Sequence, residues 1–292
     1  MSTALHVNAH RTADATEPAA QALSEAGFFR IAEIALEEAG LAIPHGKIAL
    51  VQSRISKRMR ALGIADFDAY VGLVSNRANR DERRELVSVL TTNVSSFFRE
   101  KHHFDLFAKL LLPSLADRLS RREGPVRIWS AGCSSGQEPF TIAMECLRLM
   151  PDAPERDLLI LATDIDPAML KRAASGRYSA TEIAGVPEAD RKRFFLSEDG
   201  GSHFVASDEM QRLIRFRELN IHGEWPMRGR FDAIFCRNVV IYFDEAHQAR
   251  LWPRFHAALS PGGLLFLGHS ERIHPLEGSG FQTAGVTVYR KI

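Results

Sequence analysis

Residues 126–140, VRIWSAGCSSGQEPF, set the tightest limit on what this chain can fold into. An apolar run rich in β-formers turns through Gly132 and Gly136 and then opens a helix at Glu138-Pro139. In an α/β protein, a buried strand feeding a glycine turn and a helix N-terminus is the usual cradle for a nucleotide-like ligand. A glycine has no Cβ, so the backbone there can bend sharply and approach the ligand closely. Cys133 to Ser135 separate the two glycines, which leaves G-x-x-x-G instead of the dinucleotide fingerprint G-x-G-x-x-G. No phosphate-binding Lys follows, as a P-loop would require.

Strand and helix patterns alternate through the rest of the second half. Strands are predicted at 126–130, 158–163, 231–235 and 263–268, and helices at 139–150, 167–175 and 245–259. Near-continuous apolar strands between helices indicate a parallel sheet covered on both faces. The terminal 283–291, TAGVTVYRK, alternates from Val286 onward and is expected to add an antiparallel edge strand. Residues 178–220 interrupt the alternation with a helical piece at 187–195, a short segment at 203–207 and a half-buried strand at 213–217. That strand is expected to follow a turn at Asp208-Glu209, so the whole stretch reads as a small antiparallel insertion.

Residues 1–24 are polar and Ala-rich without periodicity and read as a flexible tail. From Phe28 to about Leu90 the pattern is helical. Ile48, Val51, Ile55, Met59 and Leu62 form one apolar stripe, with Lys47, Arg54 and Arg58 beside it and Lys57 and Arg60 pointing away. No acid occurs in 47–62, so this is either a solvated basic face or a docking surface for an acidic partner. Residues 91–100, TTNVSSFFRE, break the helix and then place Asn93, Ser95 and Arg99 around two large aromatics.

The formal net charge of +1 argues against a global electrostatic strategy for nucleic acid or membrane. Cys133, Cys146 and Cys236 follow neither a metal nor a disulfide spacing, and no long apolar segment appears. A cytoplasmic location, no metal and a monomer are expected. In 160–167, ILATDIDP, Asp164 falls at the C-terminal end of the second strand. It can cap the next loop or accept hydrogen bonds from the paired hydroxyls of a ribose, and the glycine turn before it favours the ribose. Asp166-Pro167 reads as the N-cap and first residue of the next helix.

Five ordered segments resemble the CheR family, chemotaxis methyltransferases that use S-adenosylmethionine (AdoMet) to methylate receptor glutamates. They are TTNVSSFFRE (91–100), WSAGCSSGQEPF (129–140), ATDID (162–166), FDAIFCRNVVIYF (231–243) and PGGLLFLGHSE (261–271). The resemblance runs from about Phe28 to the C-terminus. It implies an all-helical N-terminal domain (25–90) for receptor docking and a linker (91–100) that contributes to the cofactor pocket. A Rossmann-like, doubly wound α/β methyltransferase domain (101–292) would follow, with a β-subdomain inserted at 178–220.

The same resemblance assigns roles. Asn93, Ser95 and Arg99 match linker positions lining the cofactor pocket. Glu138 matches the acid near the methionyl end and Asp164 the acid on the ribose. Asn220 and Ile221 match the pair beside the adenine, and Arg237 and Asn238 the pocket pair after the fourth strand. Arg99 and Tyr242 match positions that align the substrate carboxylate. Arg54, Lys57 and Arg58 are expected to dock the acidic helical bundle of a chemoreceptor. Val94 and Phe140 stand where polar and Tyr residues are frequent. The loop SEDGGSHF (197–204) keeps only Gly200-Gly201 of the glycine-rich loop of members that tether to a receptor C-terminal peptide, so no such tether is expected. The implied reaction yields a glutamate methyl ester and S-adenosylhomocysteine (AdoHcy). An AdoMet-sensing interaction module and a carboxyl methyltransferase with a non-chemotaxis substrate are the alternatives.

Overall fold

The computed structural model describes residues 22–292. The first 21 residues of the expected tail lie outside that range. Its end does not belong to a tail: Leu23 is buried, and the Ser24 hydroxyl accepts from Gly27 N at 3.1 Å as the N-cap of α1 (Glu25–Ala39). Helices α2 (Ile48–Leu62), α3 (Phe67–Ser75) and α4 (Arg80–Leu90) complete a helical domain. Val51, Ile55 and Met59 of the predicted stripe are buried, whereas Leu62 is exposed where α2 ends at Gly63.

Ion pairs and hydrogen bonds fix these helices. Arg83 reaches Glu38 at 2.7 Å and Glu37 at 3.1 Å, and donates to Val74 O. Arg58 grips Glu82 with two hydrogen bonds of 3.0 and 2.6 Å, and the Tyr70 hydroxyl adds a third at 2.9 Å. Arg54 donates to Leu90 O, Thr91 O and Thr92 Oγ1, capping the C-terminal end of α4. Two of the three cations expected to dock a partner are therefore held within the domain. Lys57 is exposed, as are Lys47 and Arg60.

After α5 (His102–Leu110) and α6 (Leu112–Ser120), the chain alternates β1 (Val126–Ala131), α7 (Gln137–Leu149), β2 (Leu158–Asp164) and α8 (Pro167–Ser175). The insertion holds β3 (Arg177–Ser179), α9 (Ala180–Ile183), α10 (Glu188–Phe194), β4 (Phe195–Glu198) and β5 (His203–Ala206). Next come α11 (Asp208–Leu213), β6 (Ile214–Glu218), β7 (Phe231–Cys236) and α12 (Glu245–Ala258). The chain ends in β8 (Leu259–Leu267), β9 (Phe281–Gly285) and β10 (Val288–Lys291).

Seven strands form one sheet in the order β6-β2-β1-β7-β8-β10-β9, in which only β10 runs against the others. The order reverses between β1 and β7. At such a switch point the connections leave in opposite directions and open a crevice at the C-terminal strand ends. Both faces are covered, which is why the strands read as unbroken apolar runs. Ile128, Phe235 and Phe266 join the core under α5–α7. Trp129, Ile234 and Leu265 join a second core shared with α12 and the helical domain. One hydrophobic body thus welds the helical domain to the sheet.

Three expectations need correction. Asp208-Glu209 is the first turn of α11 and not a bend, since two acids there suit a helix N-terminus and Met210 and Leu213 are buried. The strand after it, β6, pairs in parallel with β2, Ile160 opposite Ile214, and so belongs to the main sheet. The antiparallel insertion is only the order β3-β5-β4. The single C-terminal edge strand is a hairpin, with β10 against β8 and β9 outermost. Its turn sits at Val286-Thr287, where Thr287 takes φ 53°. These β-branched residues give no turn signal in the sequence.

Candidate active site

The crevice beyond β1, β2 and β7 is a cavity with about 980 Å³ of empty space, counting its open mouth. All ten residues singled out from the sequence as cofactor or substrate contacts line it.

Its floor is the turn after β1. Gly132 and Gly136 adopt φ 84° and 94°, with Ser134 between them at φ 49°. A Cβ on Gly132 would lie 2.4 Å from Val239 Cγ2, and one on Gly136 would lie 2.8 Å from the Tyr178 hydroxyl. Tyr178, from the inserted subdomain, donates to Ser135 O at 2.9 Å and holds the turn from outside.

On the β2 side, Asp164 accepts from Ser134 N at 2.7 Å and Asp166 N at 2.9 Å. Burial pushes its carboxyl above the usual range, against those two N–H groups. Asp166 is the N-cap of α8, with Pro167 at the first helical position, and also accepts from Asn93 Nδ2 at 2.8 Å. Asn93 O accepts from the Ser134 hydroxyl at 3.1 Å, so the linker is laced to both the glycine turn and α8. Ser95 also lines the wall.

Opposite stands a charged column. The Arg237 side chain is 2% exposed; its Nη1 donates to Glu138 Oε2 at 3.1 Å, and its Nη2 reaches the Arg99 carbonyl and lies 3.3 Å from Glu100 Oε2. Glu138 also accepts from the Ser130 hydroxyl at 2.7 Å. Burial pushes Glu138 upward, opposed by Arg237 and Ser130. For Glu100 burial is again the largest effect, but His269, Arg237 and Asn238 together outweigh it and hold the group at about 2.

Asn238, at φ 58°, donates from Nδ2 to Glu100 Oε1 at 3.3 Å. Its backbone N–H goes to Glu271, whose carboxylate also accepts from Val239, Ile241 and Gly268. One buried acid thus shapes the whole loop from Arg237 to Tyr242.

The mouth carries Arg99 and Tyr242. Arg99 Nη1 donates to Val94 O at 2.9 Å and forms no ion pair with a carboxylate among the described residues. Phe98 and Glu100 on either side take φ 53° and 54°, conformations that L residues hold only when their surroundings enforce them. Phe97 supplies part of that constraint, buried edge-on against Tyr178 at 4.9 Å.

The roof is the end of α1. Ala39 and Leu41 line the cavity, Asn220 Nδ2 donates to Glu38 O at 2.6 Å, and Ala42 N donates to Tyr242 O at 2.8 Å. Ile221 and Leu219 give that side apolar surface.

Sequence reasoning missed Glu100, Glu271, Ser130, Ser134 and this helical roof. Glu100 and Glu271 fall inside the segments that carry the resemblance, but nothing in those segments marks either as a hub. A signal for the roof exists only in the left-handed Gly40 that ends α1.

An acid at the end of β2, apolar walls, a glycine floor and a charged column fit a ligand with a nucleoside at one end and an amino-acid group at the other. Fold and site together define a nucleoside-cofactor protein of the doubly wound α/β class. Family models match twice: "CheR methyltransferase, all-alpha domain" over residues 26–91 and "CheR methyltransferase, SAM binding domain" over 93–290. The chain belongs to the CheR methyltransferase family, and its cofactor is AdoMet.

A probable chemotaxis protein methyltransferase of Rhizobium etli is 46% identical over 255 residues, covering 87% of this chain and 95% of that protein. The chemotaxis protein methyltransferase of Escherichia coli is 38% identical, covering 92% and 91%. Chemotaxis protein methyltransferase 2 of Pseudomonas aeruginosa is 40% identical, covering 80% and 81%. Among the described residues no helix is long and apolar enough to cross a membrane.

Two expectations follow from this geometry. Gly132→Ala combines a strained φ with a clash on stiff Val239, so calorimetric titration should show AdoMet affinity falling by about tenfold or more. His103 is buried beside the column, and burial, then Arg237, lowers it to about 4; burial does the same to His222. Each therefore binds a proton more readily unfolded than folded. Stability is complete above about 6.5 and should drain as pH falls toward 4. Denaturant unfolding across that window should show the loss, and His103→Gln should flatten part of it.

Proposed function

We propose that this chain transfers the AdoMet methyl group to glutamate side chains in the cytoplasmic helical bundle of chemoreceptors. The products are glutamate methyl esters and AdoHcy, and the protein is a cytoplasmic protein-glutamate O-methyltransferase. The observation behind this reading is the absence of a free base among the cavity-lining residues. Neither His, Lys nor Cys lines the cavity, and both lining carboxylates are engaged, Glu138 by Ser130 and Arg237, Asp164 by two backbone N–H groups.

An amine or hydroxyl acceptor would need a base to take its proton. A glutamate, with an ordinary pKa of about 4.3, is already an anion at neutral pH. When bound, AdoMet supplies a methyl group on a positive sulfonium. An anion attacking that methyl would form the ester bond and leave the carbon–sulfur electron pair on sulfur, so charge would be lost and the dry, oriented site these residues build would favour the reaction. Arg99, unpaired with any acid among the described residues, can orient the incoming carboxylate together with the methionyl end of the cofactor. A tight bidentate grip would blunt the nucleophile. The Tyr242 hydroxyl is the milder orienter. Asn93, Ser95, Asp164, Asn220, Ile221 and Asn238 serve the cofactor.

The basic face of α2 supports direct docking of an acidic bundle without a peptide tether. Since Arg54 and Arg58 hold the helical domain together, Lys57 supplies the mobile charge, and Lys57→Glu should raise the KM for receptor without altering AdoMet affinity. Unchanged receptor kinetics would remove the docking proposal.

Methyl-labelled AdoMet, the purified protein and receptor-bearing membranes test the main reading. The expected result is a labelled receptor band whose label leaves as methanol on treatment with base. Cofactor binding with no labelled receptor would instead favour an AdoMet-sensing module or a different carboxyl substrate.

A further inference from the structure

Four charged side chains line the cavity: Arg99, Glu138, Asp164 and Arg237. As ionised groups they cancel. AdoMet differs from AdoHcy by one positive charge at sulfur, and a neutral wall gives no electrostatic reason to distinguish them. Of the acids one layer back, Asp166 accepts from Asn93 and Glu271 from the backbone of Asn238 and Val239, whereas Glu100 reaches a lining cation. The Glu100 side chain is 12% exposed, lies outside the lining, and has Oε2 3.3 Å from Arg237 Nη2.

We infer that Glu100 is a positioning residue that sets the charge of the cofactor site. By compensating Arg237 from behind, it shifts the charge balance of the cavity by one negative unit and tilts the site toward the sulfonium cofactor relative to its thioether product. Without Glu100, the Arg237 charge is fully available to offset Glu138, which it touches through Nη1.

The aim of Glu100 is not accidental. Its Oε1 accepts from His269 N at 3.3 Å, His269 Nδ1 at 2.9 Å and Asn238 Nδ2 at 3.3 Å, which directs Oε2 toward Arg237 and buried His103. The left-handed backbone at Glu100 delivers the side chain inward while Arg99 faces the mouth. Adjacent residues thus serve opposite sides of the same wall. The inference rests on AdoMet being the cofactor and not on which carboxylate is methylated.

Calorimetric titration of the full chain with AdoMet and with AdoHcy tests it. Glu100→Gln should weaken AdoMet by about tenfold relative to AdoHcy, the scale of one charge removed near a partly buried site. Equal weakening of both ligands would mean a merely structural ion pair and would overturn the inference, as would an unchanged ratio.

Glu100→Asp keeps the negative charge behind Arg237 and strands no buried cation, so its ratio should stay near the wild-type value. A Glu100→Asp ratio shifted as far as one charge removed contradicts the inference even if the Gln variant does not fold. Neither readout needs a methyl acceptor, so failure here leaves the glutamate reading standing, and failure of receptor labelling leaves this one standing.

Discussion

Arg99→Ala should slow methyl transfer by about 10²- to 10³-fold, the range expected when a positioning contact at the reacting group is lost. The side chain leaves the linker at the cavity mouth, anchored by one hydrogen bond to Val94 O and unpaired with any acid among the described residues. Its removal strands no buried charge and leaves the Arg237–Glu138 pair intact. The fold and most of the AdoMet affinity should therefore survive, and the loss should appear in kcat. Tyr242→Phe removes only a hydroxyl from a half-buried ring and should cost about tenfold. Single-turnover rates beside calorimetric AdoMet affinities separate these effects. A fall in AdoMet affinity that accounts for the whole loss would make Arg99 a cofactor residue alone.

Glu271→Ala should have the largest effect on stability, about 4 kcal/mol. The carboxylate is 2% exposed and accepts N–H groups from Asn238, Val239, Ile241 and Gly268. Burial raises it above the usual range despite those four donors. Alanine leaves all four without an acceptor and releases the loop that carries Arg237, Asn238 and Tyr242, so activity should fall with stability. Gln keeps one acceptor oxygen but turns an amide toward the other N–H groups, and should fall between. Urea unfolding midpoints for the three proteins check the order. An alanine variant as stable as the wild type would show that solvent satisfies the loop.

Much of this fold was legible because both faces of the sheet are buried. A residue such as Ile128 or Trp129 must be apolar whichever core it enters, so β1, β2 and β7 announce themselves as runs. Strand partnership is harder. Ile214 and Phe216 alternate with arginines in the manner of a half-exposed strand, and nothing local says that β6 pairs with β2 and not with β5. Cavity residues were legible where a short motif sits at a strand end, as with Asp164 and Arg237. Glu100, Glu271 and Asn220 are different. Glu271 and Glu100 meet Asn238 from 33 and 138 residues away, and Asn220 meets Glu38 from 182, so their roles as hubs exist only once the sheet has formed.

Mapping the methylated side chain tests the central claim most directly. After incubation with AdoMet, a chemoreceptor should be digested and its fragments sequenced by mass spectrometry. Methyl esters on glutamates of the cytoplasmic helical bundle, formed about 10²- to 10³-fold more slowly when Arg99→Ala replaces the wild type, are the predicted result. A methyl group on a lysine, an asparagine or a nucleotide, or none on any receptor glutamate despite tight AdoMet binding, would contradict it.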